Sequence, residues 1–147
     1  MDEIDRKIVE LLAEDARRSL ADIGGVVALS PSSVNERIRR LVTAGAIRRF
    51  TVDAEPEAFG FGILAFVFVG LNYDAGEEAF KAFVAACPNV LDCHHVTGEW
   101  SYLLKVRATS LSDVERFLQS LKDRRFLSRS ETMIALSSVC ERPFIPG

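Results

Sequence analysis

The chain has 147 residues, 48% of them hydrophobic and 27% charged, and a formal net charge of −3. That apolar content supplies a core for one domain of ordinary size or for two small ones. It excludes a disordered or low-complexity chain, and the mild acidity excludes a protein that is basic throughout.

The N-terminus is acidic and amphipathic rather than basic and then apolar, which is not the pattern of a signal peptide. Ile4, Ile8, Leu11 and Leu12 repeat at i, i+4, i+7 and i+8 behind Asp2, predicting a capped amphipathic helix. Two short helices joined by a tight turn are predicted between Asp22 and Leu41. Ile23, Val26 and Val27 form the apolar stripe of the first, and Ala28 and Leu29 make the turn. Ser30 is a good N-cap and Pro31 suits the first helical position. Val34, Ile38 and Leu41 then follow as one buried stripe.

At 100° per residue, Ser32, Glu36, Arg39 and Arg40 point away from that stripe, with Ser33 close by and Asn35 and Arg37 on its flanks. Such a face on the second helix of a pair suits the major groove of DNA, with Ser30 at its leading end. An ordinary solvated helix surface is the bland alternative. Against it, residues 37–50 carry Arg37, Arg39, Arg40, Arg48 and Arg49 and no acid, a local basic patch on an acidic chain. Gly45 is a plausible helix-ending residue. Residues 46–52 read as a short strand whose Arg48 and Arg49 are phosphate-contact candidates.

Past a linker at residues 53–60, the pattern changes. The longest uncharged stretch, residues 58–73, contains three glycines and is too short for a membrane span. Phe61–Leu71 reads as a buried strand. Glu77–Cys87 reads as a helix with Phe80, Phe83, Val84 and Cys87 inside. Asn89–Thr97 and Ser101–Arg107 read as strands about a tight connection at Gly98-Glu99-Trp100. Ser110 and Asp113 form a capping-box pattern before a helix with Leu111, Val114, Leu118 and Leu121 inside, and Ser130–Val139 is the last strand. The order β-α-β-β-α-β is the ferredoxin-like arrangement, with both helices on one face of an antiparallel sheet. Phe66 and Phe68 then sit on a face without helices, for which a second copy of the chain is the expected cover.

Cys87, Cys93 and Cys140 form no CxxC pair and are odd in number, against a disulfide framework. Cys93-His94-His95 invites a metal reading. On a strand His94 faces away from the other two, however, and no fourth ligand lies at a recognisable spacing, so no metal or cofactor is expected. The two histidines could instead form a pH-dependent element, which nothing in the sequence demands.

Together these elements make an α+β chain: a winged helix-turn-helix domain at residues 1–52 and a ferredoxin-like βαββαβ sandwich domain at residues 61–147. That build resembles the Lrp/AsnC (feast/famine) family of bacterial and archaeal regulators over nearly the whole chain. The resemblance rests on the opening helix and Asp-Ala-Arg turn of IDRKIVELLAEDARRSLADI. It rests also on the Leu-Ser-Pro start, Arg-x-x-x-Leu and Gly-x-Ile of LSPSSVNERIRRLVTAGAIRRF, and on the loop of TGEWSYLLKV. It implies a cytoplasmic, sequence-specific transcriptional regulator that binds double-stranded DNA and responds to an amino acid or similar small molecule. It also implies dimers associating into tetramers or octamers, with the effector near the loop Gly98, Glu99, Trp100, Ser101 and Tyr102.

Two places depart from the family pattern. Gly24 and Ala28 stand where Ala and Gly are usual, so the turn lacks glycine's freedom. Ser101 replaces the usual acidic residue, which leaves Glu99 as the acceptor for a ligand's ammonium group. Trp100 either walls an apolar pocket or packs in an oligomer interface. A DNA-wrapping architectural protein without ligand is the second reading. Tetrapyrrole decarboxylases similar to the family are the third, but they would need His or Arg at this loop. No catalytic pair or triad stands out, so the expectation is a regulator and not an enzyme.

Overall fold

The computed structural model describes all 147 residues and divides into two compact units: Met1–Asp53 with Cys140–Gly147, and Ala54–Val139. The last eight residues group with the first unit.

The first unit is three helices: α1 (Glu3–Glu14), α2 (Leu20–Val27) and α3 (Pro31–Thr43). Each start is fixed by a side-chain cap. Asp2 accepts the Asp5 N–H at 2.8 Å while the Asp5 carboxylate accepts the Asp2 N–H at 3.2 Å, a reciprocal capping box. Ser19 caps α2, which starts it at Leu20 rather than at Asp22, and Ser30 caps α3. Ile8, Ile23 and Val34 are fully buried at the centre, with Leu11, Leu12 and Leu41 around them and Ile38 and Ile47 packed outside. Val26 is not part of this core and stands half exposed. At 100° per residue it lies on the far side of Ile23 from Leu20, Gly24 and Val27, about which the buried face is centred.

The turn of the pair is tight. Ala28 takes the left-handed conformation (φ 58°, ψ 45°), and the Leu29 N–H bonds the Gly24 carbonyl at 3.1 Å. A Cβ on Gly24 would lie 2.4 Å from the carbonyl oxygen of Leu29, the residue after Ala28, so position 24 needs glycine beneath this turn. At the end of α3, Gly45 has φ +77°, and the N–H groups of Gly45 and Ala46 bond the carbonyls of Val42 and Leu41 at 3.0 and 2.9 Å. This is a Schellman closure. The strand expected at residues 46–52 does not form, and with it the wing is absent as a ladder: the unit contains no other strand to pair with.

The second unit is β1 (Ile63–Leu71), α4 (Glu77–Ala85), β2 (Val90–His95), β3 (Tyr102–Ala108), α5 (Leu111–Asp123) and β4 (Leu127–Ile134). Its four strands pair antiparallel in the order β2-β3-β1-β4, the ferredoxin-like topology. Ala65, Val67, Val69 and Leu71 of β1 pack with Phe80 and Val84 of α4 and with Val114, Phe117 and Leu121 of α5, so both helices cover one face. Phe66 and Phe68 alternate onto the other.

Three expectations shift here. Leu111 is exposed and Phe117 is buried, because the face set by Val114 and Leu121 is rotated towards Phe117. The Asp113 carboxylate reaches past Ser110 to the N–H of Thr109 at 3.0 Å, so only the Ser110 half of the capping box forms. β4 begins at Leu127 and ends at Ile134 rather than spanning 130–139. β1 supplies its ladder, which closes with the Ala135 N–H on the Leu64 carbonyl at 2.9 Å, and Leu136 and Val139 beyond it are fully exposed. No helix of the chain is long and apolar enough to cross a membrane.

Candidate nucleic-acid interface and effector loop

The outward face of α3 divides into three kinds of side chain. Ser30 is the cap: its hydroxyl accepts the Ser33 N–H at 3.2 Å and bonds the hydroxyls of Ser33 and Ser32 at 2.9 and 3.2 Å. These three serines are tied to one another at the leading end. Asn35, Glu36, Arg39 and Arg40 are exposed, and their side chains make no bond within the protein. Arg48 and Arg49, past the Schellman turn, are equally exposed and unpartnered.

Arg37 is the exception. Its Nη1 donates to both carboxylate oxygens of Asp2 at 3.0 and 2.8 Å and to Asp5 Oδ1 at 2.9 Å. The guanidinium holds the Asp2 carboxyl down to about 2, with the Asp5 N–H adding to the effect. Arg37 therefore ties α3 to the start of α1 through one nitrogen of its guanidinium. The flank position was legible; an acceptor pair more than thirty residues away was not.

In the second unit the loop between β2 and β3 brings four of its five candidate residues to the end of the sheet. Gly98 has φ +98°, and a Cβ there would meet open space. The Glu99 side chain is exposed while its carbonyl accepts from Arg129 Nη2. Trp100 is half-buried against Phe68, ring centroids 5.8 Å apart, and the Arg129 guanidinium lies 4.2 Å from its ring centroid. Ser101 donates its N–H to the Val69 carbonyl at 2.8 Å, and its hydroxyl accepts the Leu71 N–H at 3.1 Å. The hydroxyl that stands in the acidic position is thus engaged by the backbone, which leaves Glu99 as the loop's carboxylate.

Tyr102 parts from the other four. Its ring is buried on the helix side against Phe80 (5.0 Å) and His95 (4.9 Å), and its hydroxyl donates to Glu77 Oε1 at 2.7 Å. Burial first, then the Glu77 carboxylate, pushes this phenol far above its ordinary pKa. The strand period explains the split: Tyr102 shares its face with Leu104 and Val106. With Lys81, Val84, Leu91, Cys93 and His95 it lines a cavity of about 520 Å³ between α4 and β2. His94 points the other way, its Nε2 3.9 Å from Asp92. Arg129 and Glu77 are the partners that sequence reasoning missed, since they meet their targets across 30 and 25 residues.

These two sites match known domain types in the same order. Residues 1–42 match the AsnC-type helix-turn-helix domain, and residues 64–145 match the Lrp/AsnC ligand binding domain. The chain belongs to the Lrp/AsnC family. It is 35% identical over 118 residues to the transcriptional regulator LrpC of Bacillus subtilis, covering 80% of this chain and 81% of that protein. It is 30% identical over 146 residues to the transcriptional regulator FL11 of Pyrococcus horikoshii, covering 99% and 96%. Its fold is similar to that of the regulator NMB0573 of Neisseria meningitidis in complex with L-Met, with a TM-score of 0.89 and 30% identity over 97% of this chain and 94% of that one. This Lrp/AsnC protein is a helix-turn-helix transcriptional regulator. The proteins it resembles are transcriptional regulators.

Proposed function

We propose that this regulator reads a DNA sequence with Asn35, Glu36, Arg39 and Arg40 of α3, leans on phosphates through Arg48 and Arg49, and binds an amino acid at the loop Gly98–Ser101. The observation that carries the DNA half is the set of six exposed polar side chains left without partners, beside an Arg37 whose Nη1 is held by Asp2 and Asp5. The guanidinium fork suits guanine edges and phosphate alike, and the glutamate can accept from cytosine.

For the sensing half, Glu99 offers a carboxylate to an ammonium group. The N–H groups of Gly98, Glu99 and Trp100 have no backbone acceptor, so they are available to a carboxylate. The L-Met bound to NMB0573 supports an amino-acid ligand. The open sheet face, with Phe66, Phe68 and an exposed Met133, supports assembly from dimers through that face. A ligand held between subunits would bias the assembly and so the number of recognition helices that engage one DNA.

The test is DNA binding by fluorescence anisotropy across a salt series, with and without each of the twenty amino acids. Arg48→Ala and Arg49→Ala should each flatten the salt dependence by about one unit of slope, affecting all sequences equally. At least one amino acid should change DNA affinity or assembly mass. If none does, the protein wraps or reads DNA without this ligand class, and the sensing half is wrong.

A further inference from the structure

We infer that Arg129, on the strand at the far side of β1 from the loop, is the positioning residue that holds the effector loop in place. The inference deepens the proposed amino-acid site and rests on the reading of Gly98–Ser101 as that site.

Arg129 stands opposite Gly70 in the β1–β4 ladder, where the register shifts between Gly70 and Leu71. From there its side chain crosses β1 to the β2–β3 loop. Only a glycine leaves the path open. A Cβ at position 70 would lie 2.7 Å from Arg129 Cγ, 3.1 Å from Ser128 Oγ and 3.4 Å from Arg129 Nε. Ser128 braces the same point by donating its hydroxyl to the Gly70 carbonyl at 2.8 Å.

At the end of the path the guanidinium does two things at once. It lies over the Trp100 ring at 4.2 Å, and Nη2 donates to the Glu99 carbonyl. Trp100 is backed in turn by Phe68. Three consecutive loop residues are therefore held by neighbouring strands: Glu99 and Trp100 by Arg129 of β4, and Ser101 by Val69 and Leu71 of β1.

The loop contains no ladder of its own, so removing Arg129 leaves Glu99 and Trp100 attached only through the chain and Phe68. The direction of the Glu99 carboxylate and of the neighbouring N–H groups follows from that attachment. A planar guanidinium can stack on a ring through its face while donating from its edge. An ammonium group has no such plane, so lysine is not an equivalent here. Arg129 does not touch the proposed ligand in this argument; it acts through Glu99 and Trp100.

Trp100 is the one tryptophan of the chain, so its emission reports the loop directly. The experiment compares the full-length parent with Arg129→Met, Arg129→Lys and Gly70→Ala, each checked for folding by circular dichroism. Trp100 emission, acrylamide quenching and the amino-acid concentration giving half-maximal thermal shift are then measured. All three variants should shift the emission and make Trp100 clearly more accessible to acrylamide. Each should also raise the half-maximal concentration by roughly tenfold, the scale on which supporting contacts around a binding site act. Gly70→Ala matters because it keeps the arginine and blocks its path.

Unchanged Trp100 signals in the variants would overturn the inference, as would an Arg129→Lys protein indistinguishable from the parent. A changed Trp100 signal with an unmoved ligand response would overturn it too, since the loop would then work without its hold. Should the parent respond to no amino acid, the effector reading fails on its own account. The fluorescence comparison then decides alone whether Arg129 holds the loop.

Discussion

On α3, Asn35, Glu36, Arg39 and Arg40 stand in solvent with no partner inside the protein, whereas in the β2–β3 loop Trp100 and Ser101 are engaged by Phe68, Arg129, Val69 and Leu71. The difference follows from what carries each region. A helix satisfies its own backbone and is seated by one stripe, here Val34 and Leu41, so the opposite face remains available. A connection between strands has no such ladder and is fixed by its side chains, which are then no longer open to a ligand. The loop is left with one carboxylate and a few backbone N–H groups. Substitutions on the helix face should change recognition without changing the fold, and substitutions in the loop should change both.

The largest expected effect tests the first half of that statement. Glu36→Ala or Arg39→Ala should reduce discrimination between cognate and random DNA by about 1–3 kcal/mol, as loss of a base contact does. The midpoint of thermal unfolding should stay close to that of the parent, because neither side chain has an internal partner. Equal loss of affinity for cognate and random DNA would mean that these residues touch phosphate or nothing. A marked fall in unfolding temperature would mean that the helix face is not separable from the fold.

The turn before α3 sharpens the comparison, since it is the part of the helical unit that most resembles a loop. Ala28 sits at φ 58°, and Ala28→Gly should raise stability by about 1 kcal/mol through relief of the left-handed conformation. Gly24→Ala should lower it, because the new Cβ has only 2.4 Å to the Leu29 carbonyl oxygen, a backbone atom that cannot swing aside. Denaturant midpoints of both variants measure this. A stabilised Gly24→Ala protein would show that the turn opens freely and does not fix the approach of α2 to α3.

Most of what was legible in the sequence was local. The caps Asp2 and Ser30, Pro31 at the first position of α3, the Val34–Leu41 stripe and the β-α-β-β-α-β order are all written within a few residues of where they act. What was not legible depends on partners far along the chain. Residues 46–52 have strand-like composition, yet a strand exists only where another strand pairs with it. The start of β4 is fixed by the end of β1 rather than by its own apolar residues. Tyr102 belongs to the loop motif by sequence and to the helix-side core by strand alternation. Arg129 reads as an ordinary exposed residue until Gly70 is seen to leave it a path. Arg37 is the sharpest case: its sequence neighbours are the exposed arginines of α3, and its Nη1 is held by two aspartates more than thirty residues away.

That case also yields the smallest expected effect, a difference in acid response. Asp2 is exposed, so its pair with Arg37 contributes modestly, and the signature is its pH dependence rather than its size. The Asp2 carboxyl is held at about 2, below its ordinary 3.8, by the guanidinium first and by the Asp5 N–H second. A carboxyl depressed in the folded state contributes stability that is fully present above its unfolded value and disappears as pH falls through the folded one. The parent should therefore be more stable than Arg37→Met above pH 3.8, and this advantage should shrink steadily towards pH 2. Denaturant unfolding of both proteins at several pH values through that window measures it; an advantage that stayed constant would assign the effect to packing of the arginine stem. The same variant closes the comparison on the DNA side. With Nη1 held at the start of α1 by Asp2 and Asp5, Arg37 is drawn away from the DNA and should make no phosphate contact, so Arg37→Met should leave the salt slope of DNA binding where it was. A slope flattened as in Arg48→Ala would place Arg37 back among the residues that the helix offers to DNA.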